Sequence, residues 1–228
     1  MEKANLKVCM DFLSKLSNNN NREWFNDNKS IYQEAHQHLI LFADELLAIM
    51  NSHDQIETPN GKKSLFRIYR DVRFSKDKTP YQTHFSGGFR RATSFLRGGY
   101  YFRIQPGNSI IAGGFWAPNS EDLKHIRAQI AQDDEPLREI INDKKTNSYF
   151  GGLEGEQVKT APKGFSNGHP SIDLLRYKQL ILTHHFSDKE VIDNGFVKKV
   201  NTGFKHMRPF FDYMSDILTT DLNGAPLL

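Results

Sequence analysis

The spacing of apolar residues changes period along this chain of 228 residues, and that change limits the fold more than any other feature. Near the N-terminus the spacing is helical. Leu6, Cys9, Phe12, Leu13 and Leu16 share one face over residues 5 to 16, and Ile31, Ala35, Leu39, Phe42, Leu46 and Ile49 share another from Lys29 to Asn51. Asn20 followed by Glu23 predicts a capped turn holding Trp24 and Phe25. In the middle the period falls to two. Phe66, Ile68, Val72 and Phe74 alternate with charged or tyrosine positions, which predicts a strand from 66 to 74. Tyr100 to Gln105 and Ser109 to Trp116 predict a hairpin across Pro106-Gly107-Asn108. Between them, 85–99 shows no period and reads as a mobile or ligand-facing connection.

Helical spacing returns from Asn119 to Gln132, and again from Asp134 with Pro136 in the first turn. Residues 142–168 read as loop with one strand near 157–160, and Gln179 to Phe186 as a strand. Ser187 to Glu190 reads as a capping box. A last helix runs from Phe196 to about Thr219, with Pro209 expected to kink or restart it. Helices flanking antiparallel strands, without βαβ alternation, predict an α+β fold. Its central antiparallel sheet is covered by helices from the N- and C-terminal thirds. No repeat or linker is visible, so 1–228 reads as a single domain.

Cys9 stands alone, so an intramolecular disulfide and a cysteine-based zinc site are both excluded. Its apolar helical setting makes it a core residue. No apolar run reaches the roughly 18 residues of a membrane span, and the first twelve residues lack the pattern of a secretory leader. A cytoplasmic protein without a membrane partner is the expectation. His36 and His38 diverge on a helix and His184-His185 diverge on a strand, so neither pair makes a metal site. Neither a metal nor a cofactor is expected.

Charge is concentrated rather than large. Residues 61–103 hold eleven Lys and Arg against Asp71 and Asp77, a net +9 within a chain of net +3. Such asymmetry marks a basic face. Its densest part is R-I-Y-R-D-V-R-F-S-K-D-K-T-P-Y, from Arg67 to Tyr81, closed by a proline that cannot donate to a ladder. This motif, with N-N-R-E-W-F at Asn20–Phe25, G-G-Y-Y-F at Gly98–Phe102, G-G-F-W-A-P at Gly113–Pro118 and Ile126-Arg127, resembles the domain-of-unknown-function family 2461 of bacterial and fungal proteins. The resemblance covers about residues 5 to 220 and implies a single α+β domain without an assigned activity. Where the family pattern often has a lysine after Pro-Tyr, this chain has Gln82.

Three functions remain open on the residues. In the first, Arg67, Arg70, Arg73, Lys76 and Lys78 hold a phosphate-containing or other anionic small molecule, or nucleic acid. Tyr81, Tyr100 and Trp116 line that site, and Tyr69 and Tyr101 add stacking surfaces. In the second, a metal-independent enzyme acts on a phosphoester or other anionic substrate, with Asp71, Asp77, His84 and Tyr81 as catalytic candidates. In the third, the cations form an internal network, with Arg70 buried against Asp77, and the chain is a protein-interaction module using Arg90 and Arg91 on the 85–99 loop.

Overall fold

Asn5 starts the first helix by accepting the Lys7 amide on its side chain at 3.2 Å. Helix α1 (Leu6–Asn18) then buries Leu6, Cys9, Met10, Phe12, Leu13 and Leu16. In the computed structural model, which describes residues 3–227, Asn21 rather than Asn20 caps α2 (Arg22–Asp27), accepting the Trp24 amide at 2.9 Å. Helix α3 (Lys29–Met50) buries Ala35, Leu39, Phe42, Ala43, Leu46, Leu47 and Met50, while Ile49 is half-buried. The short α4 (Gly61–Ser64) follows, with Asn60 as its cap.

The expected strand from 66 to 74 does not form as a strand. Leu65 pairs with Gly87 and Tyr69 with Tyr81 through isolated antiparallel bridges. Past them the chain leaves the pairing as a loop. Alternation there reflects an extended backbone without a neighbour to complete a ladder. Ile68 is buried, but Phe66 is 57% and Phe74 96% exposed.

The supposed connection 85–99 contains a true strand, β1 (Phe85–Arg90). Gly87 permits it, because a Cβ there would stand 2.7 Å from the Phe102 ring and 2.9 Å from the Ser64 carbonyl oxygen. Strands β2 (Gly99–Ile104) and β3 (Ser109–Phe115) form the expected hairpin. Helices α5 (Ser120–Gln132) and α6 (Glu135–Asn142) follow, and α7 (Lys144–Phe150) occupies a stretch read from sequence as loop. Asp143 caps α7 by accepting from the Lys145 and Thr146 amides. Next come α8 (Ile172–Leu175), β4 (Leu180–Phe186) and α9 (Asp188–Val191), the last with its capping box in place. Residues 157–160 form no strand; Gln157 makes a single bridge to Tyr177. Helix α10 (Phe196–Thr219) continues through Pro209 without a break. Met207, Phe210, Phe211 and Met214 are all buried around the proline, and their burial outweighs the roughly 3 kcal/mol of an interior proline.

The four strands make one antiparallel sheet in the order β1-β2-β3-β4, and the fold is α+β, with helices from both terminal regions. The residues divide into two compact units. One runs to Phe89 and includes Tyr101–Ile111 and His185–Thr202; the other comprises Arg90–Tyr100, Ala112–His184 and the chain from Gly203 onward.

The first unit has an aromatic core. Phe12 stacks on Phe85 at 5.8 Å, Phe42 on Phe196 at 5.7 Å, and Phe102 meets Phe42 edge-on at 5.3 Å. Cys9 lies inside it, its thiol donating to the Ala35 carbonyl and pushed up to about 12 by burial.

In the second unit Gly113 lies against Met207 and Phe211, and Gly114, at φ +142°, lies where a Cβ would meet the Leu180 carbonyl oxygen at 2.2 Å. Arg91 is fully buried in this unit, paired with Asp212 at 2.5 Å and positioned over the Phe211 ring at 5.7 Å. It is a packing residue there, not an exposed loop cation. Arg127 donates to the carbonyls of Leu175 and Tyr177, which closes the end of α8.

No helix among the described residues is long and apolar enough to cross a membrane.

Candidate ligand-binding site

The Arg67–Tyr81 motif folds as an irregular hairpin in the first unit. At its base the Arg70 amide donates to the Pro80 carbonyl at 2.9 Å, and the Gln82 amide donates to Ile68 at 2.7 Å. The Arg70 side chain, 20% exposed, reaches across. It donates to Asp77 at 2.5 Å, to the Thr79 carbonyl at 3.0 Å and to the Thr79 hydroxyl. A guanidinium landing on the inner face thus finds its partners within its own loop. Asp77 also accepts the Thr79 amide at 2.9 Å. That amide, and then Arg70, hold its carboxyl down to about 2.

Asp71 and Arg73 form a second, exposed fork, with Nε and Nη2 donating at 2.9 and 2.6 Å. The Arg73 side chain holds the Asp71 carboxyl below its usual range. Arg73 also stands over the Phe74 ring at 5.8 Å. Lys78 turns inward and donates to the Val72 carbonyl at 2.9 Å and to that of Arg73 at 3.4 Å. Arg67 and Lys76 are exposed and make no hydrogen bond or ion pair among the described residues, although the Arg67 charge also acts on the Asp71 carboxyl. The loop is therefore latched from inside and convex, and it presents Phe74 at its tip.

Tyr81 anchors the hairpin. Asn20 clamps its backbone from both sides, donating to its carbonyl at 2.9 Å and accepting its amide at 3.1 Å. The buried Tyr81 ring stacks on Phe25 at 4.0 Å. The Arg67–Tyr81 and Asn20–Phe25 motifs thus meet in space, although sequence reasoning gave Asn20 only a capping role and no contact with Tyr81. The side chain of Tyr69, 51% exposed, leans on Tyr81 at 5.3 Å. Phe66 stacks beside Tyr101 at 6.3 Å.

The remaining predicted site residues lie elsewhere. His84 is half-buried, and its imidazole is held below its usual range by burial and then by the Arg103 charge. Tyr100 is buried in the second unit against Phe204 and Phe211, at 4.8 and 4.9 Å. Trp116 belongs to the same unit, just past β3, and is 64% exposed. Of the four catalytic candidates, Asp71 and Asp77 serve as structural acceptors. Burial raises the Tyr81 hydroxyl above its usual range, with Tyr69 adding to the effect, so it stays protonated at neutral pH.

Fold and site together define an α+β protein with a four-stranded antiparallel sheet and an inwardly latched basic hairpin. The chain belongs to the family described as conserved hypothetical protein (DUF2461), which it matches over residues 8–213. No curated protein and no solved structure matches the chain.

Proposed function

We propose that this protein binds an anionic ligand through the Arg67–Tyr81 hairpin, and that single-stranded nucleic acid is the form of ligand the hairpin suits best. One observation carries the proposal. Arg67 and Lys76 are exposed and make no ion pair among the described residues, and the same hairpin exposes Phe66, Tyr69 and Phe74 beside them. An exposed aromatic is a stacking surface for a base, worth roughly 1–3 kcal/mol per base, and neighbouring cations draw the backbone. A convex loop also suits a polymer that wraps it better than a small ion, which needs convergent donors. The internal latch keeps Phe74 presented without an ordering cost on binding. The working compartment is the cytoplasm, in keeping with a single, buried thiol.

Fluorescence anisotropy with labelled single-stranded oligonucleotides tests this. Phe74→Ala with Lys76→Ala should weaken binding at least tenfold, since one stack and one phosphate contact are removed. Equal binding by wild type and the double variant would reject the assignment.

A further inference from the structure

Phe25 has three tyrosine neighbours in the first unit. Its ring centroid lies 5.0 Å from Tyr32, 5.8 Å from Tyr69 and 4.0 Å from Tyr81. Phe25 itself is 1% exposed, so it forms the floor around which the phenols stand. None of the three hydroxyls makes a hydrogen bond among the described residues, and none is sealed from solvent. A phenol beside an apolar floor ordinarily finds a partner for its O–H. Here three stand around one floor with no such partner among the described residues, and the Tyr69 hydroxyl acts on those of both Tyr32 and Tyr81.

Arg22 supplies the matching charge. It stands three residues before Phe25 on α2, hence on the same side of the helix, and two residues after the Asn20 that clamps Tyr81. It is exposed and has no ion-pair partner among the described residues. After burial and the neighbouring Tyr69 hydroxyl, the charge acting on the Tyr81 hydroxyl is that of Arg22.

We propose that Arg22 and the hydroxyls of Tyr32, Tyr69 and Tyr81 form a seat for a terminal phosphate group. A phosphomonoester presents three acceptor oxygens and close to two negative charges. Three O–H donors and a guanidinium fork answer that set, whereas a phosphodiester leaves one oxygen fewer to bind. Burial holds the hydroxyls of Tyr32 and Tyr81 above their usual range, so both remain donors at neutral pH. The Asn20 clamp and the Phe25 stack fix Tyr81 before any ligand arrives, and only Arg22 and Tyr69 have to settle. This seat deepens the anion-binding function proposed above. A 5′-phosphate on a single strand would occupy it while the strand runs over the neighbouring hairpin. Free inorganic phosphate has the same chemistry and is the other source.

The test uses the full chain and three probes: inorganic phosphate, an oligonucleotide with a 5′-phosphate, and the same oligonucleotide with a 5′-hydroxyl. Calorimetry on wild type should show phosphate binding and a preference for the phosphorylated end. Arg22→Gln and Tyr32→Phe, both outside the hairpin that would carry the strand and the second keeping its ring contacts, should each lower phosphate affinity roughly tenfold to a hundredfold, as expected for loss of a hydrogen bond to a charged group. They should leave the 5′-hydroxyl oligonucleotide bound as before. Inorganic phosphate bound with no preference for the phosphorylated end still supports the seat and assigns it to free phosphate. Phosphate affinity unchanged in both variants overturns the seat. So does a wild type that binds no phosphate and ignores the 5′ end. Retained binding of the 5′-hydroxyl strand would then leave the hairpin function standing, and its loss would remove both.

Discussion

Asn20→Ala is the substitution that separates a clamped hairpin from a merely adjacent one. The wild-type side chain donates to the Tyr81 carbonyl at 2.9 Å and accepts its amide at 3.1 Å, sixty-one residues away in sequence. Both bonds are part-buried, and a net contribution of about 1 kcal/mol each gives a loss of about 2 kcal/mol. For a chain of this length that corresponds to a fall in Tm of about 4–8 °C. Thermal unfolding followed by circular dichroism reads the shift, and hydrogen exchange at the Tyr81 amide reports the clamp directly. Asn20→Asp should give an intermediate loss, because a carboxylate still accepts the amide but no longer donates to the carbonyl. A Tm within 1 °C of wild type, with Tyr81 still protected, would show that the hairpin is held by the Phe25 stack alone.

Three further outcomes follow from the same geometry. Arg91→Met should destabilise by about 2–3 kcal/mol in denaturant unfolding, below the roughly 3–5 kcal/mol of a fully buried pair because Asp212 is half exposed and can be rehydrated. Cys9, with its thiol raised from 9.0 to about 12, should resist iodoacetamide in the native state at pH 8 and react on unfolding. The unfolded chain ionises this thiol first, so its effect on stability is absent below about pH 9 and grows more unfavourable as pH rises toward about 12. Asp77, lowered from 3.8 to about 2, should stay ionised in acid; its contribution is complete above the unfolded value and is lost as pH falls through about 2. A carboxyl NMR titration with its midpoint near 3.8 would show the latch to be open in solution.

Much of the fold was legible because local rules and tertiary packing agree. Asn119, Ser187 and Glu190 cap where their spacing predicts, and the apolar stripes of α1 and α3 are the faces that the core buries. The family resemblance read from the Arg67–Tyr81 motif agrees with the match over residues 8–213. Other features were not legible, for identifiable reasons. Strand β1 carries Gly87-Gly88, whose low strand propensity hides the fact that the Phe102 ring needs the missing side chain. Alternation from 66 to 74 looks the same whether or not a partner strand exists, and Phe74, which alternates in step with the buried Ile68, stands almost fully exposed. Asn20 bonds across sixty-one residues, and no local pattern encodes that. The Arg70–Asp77 pair was visible as part of one of three readings, because a cation on an apolar face demands a partner.

The salt dependence of oligonucleotide binding bears most directly on whether the hairpin's exposed charges meet phosphates. Neutralisation of about two phosphates by Arg67 and Lys76 corresponds to a slope of about −1.4 in log K against log salt for a single strand. A slope near that value, flattened when Arg67 and Lys76 are replaced by glutamine, is the expected result. A slope of zero, or no measurable binding at low salt, would contradict it.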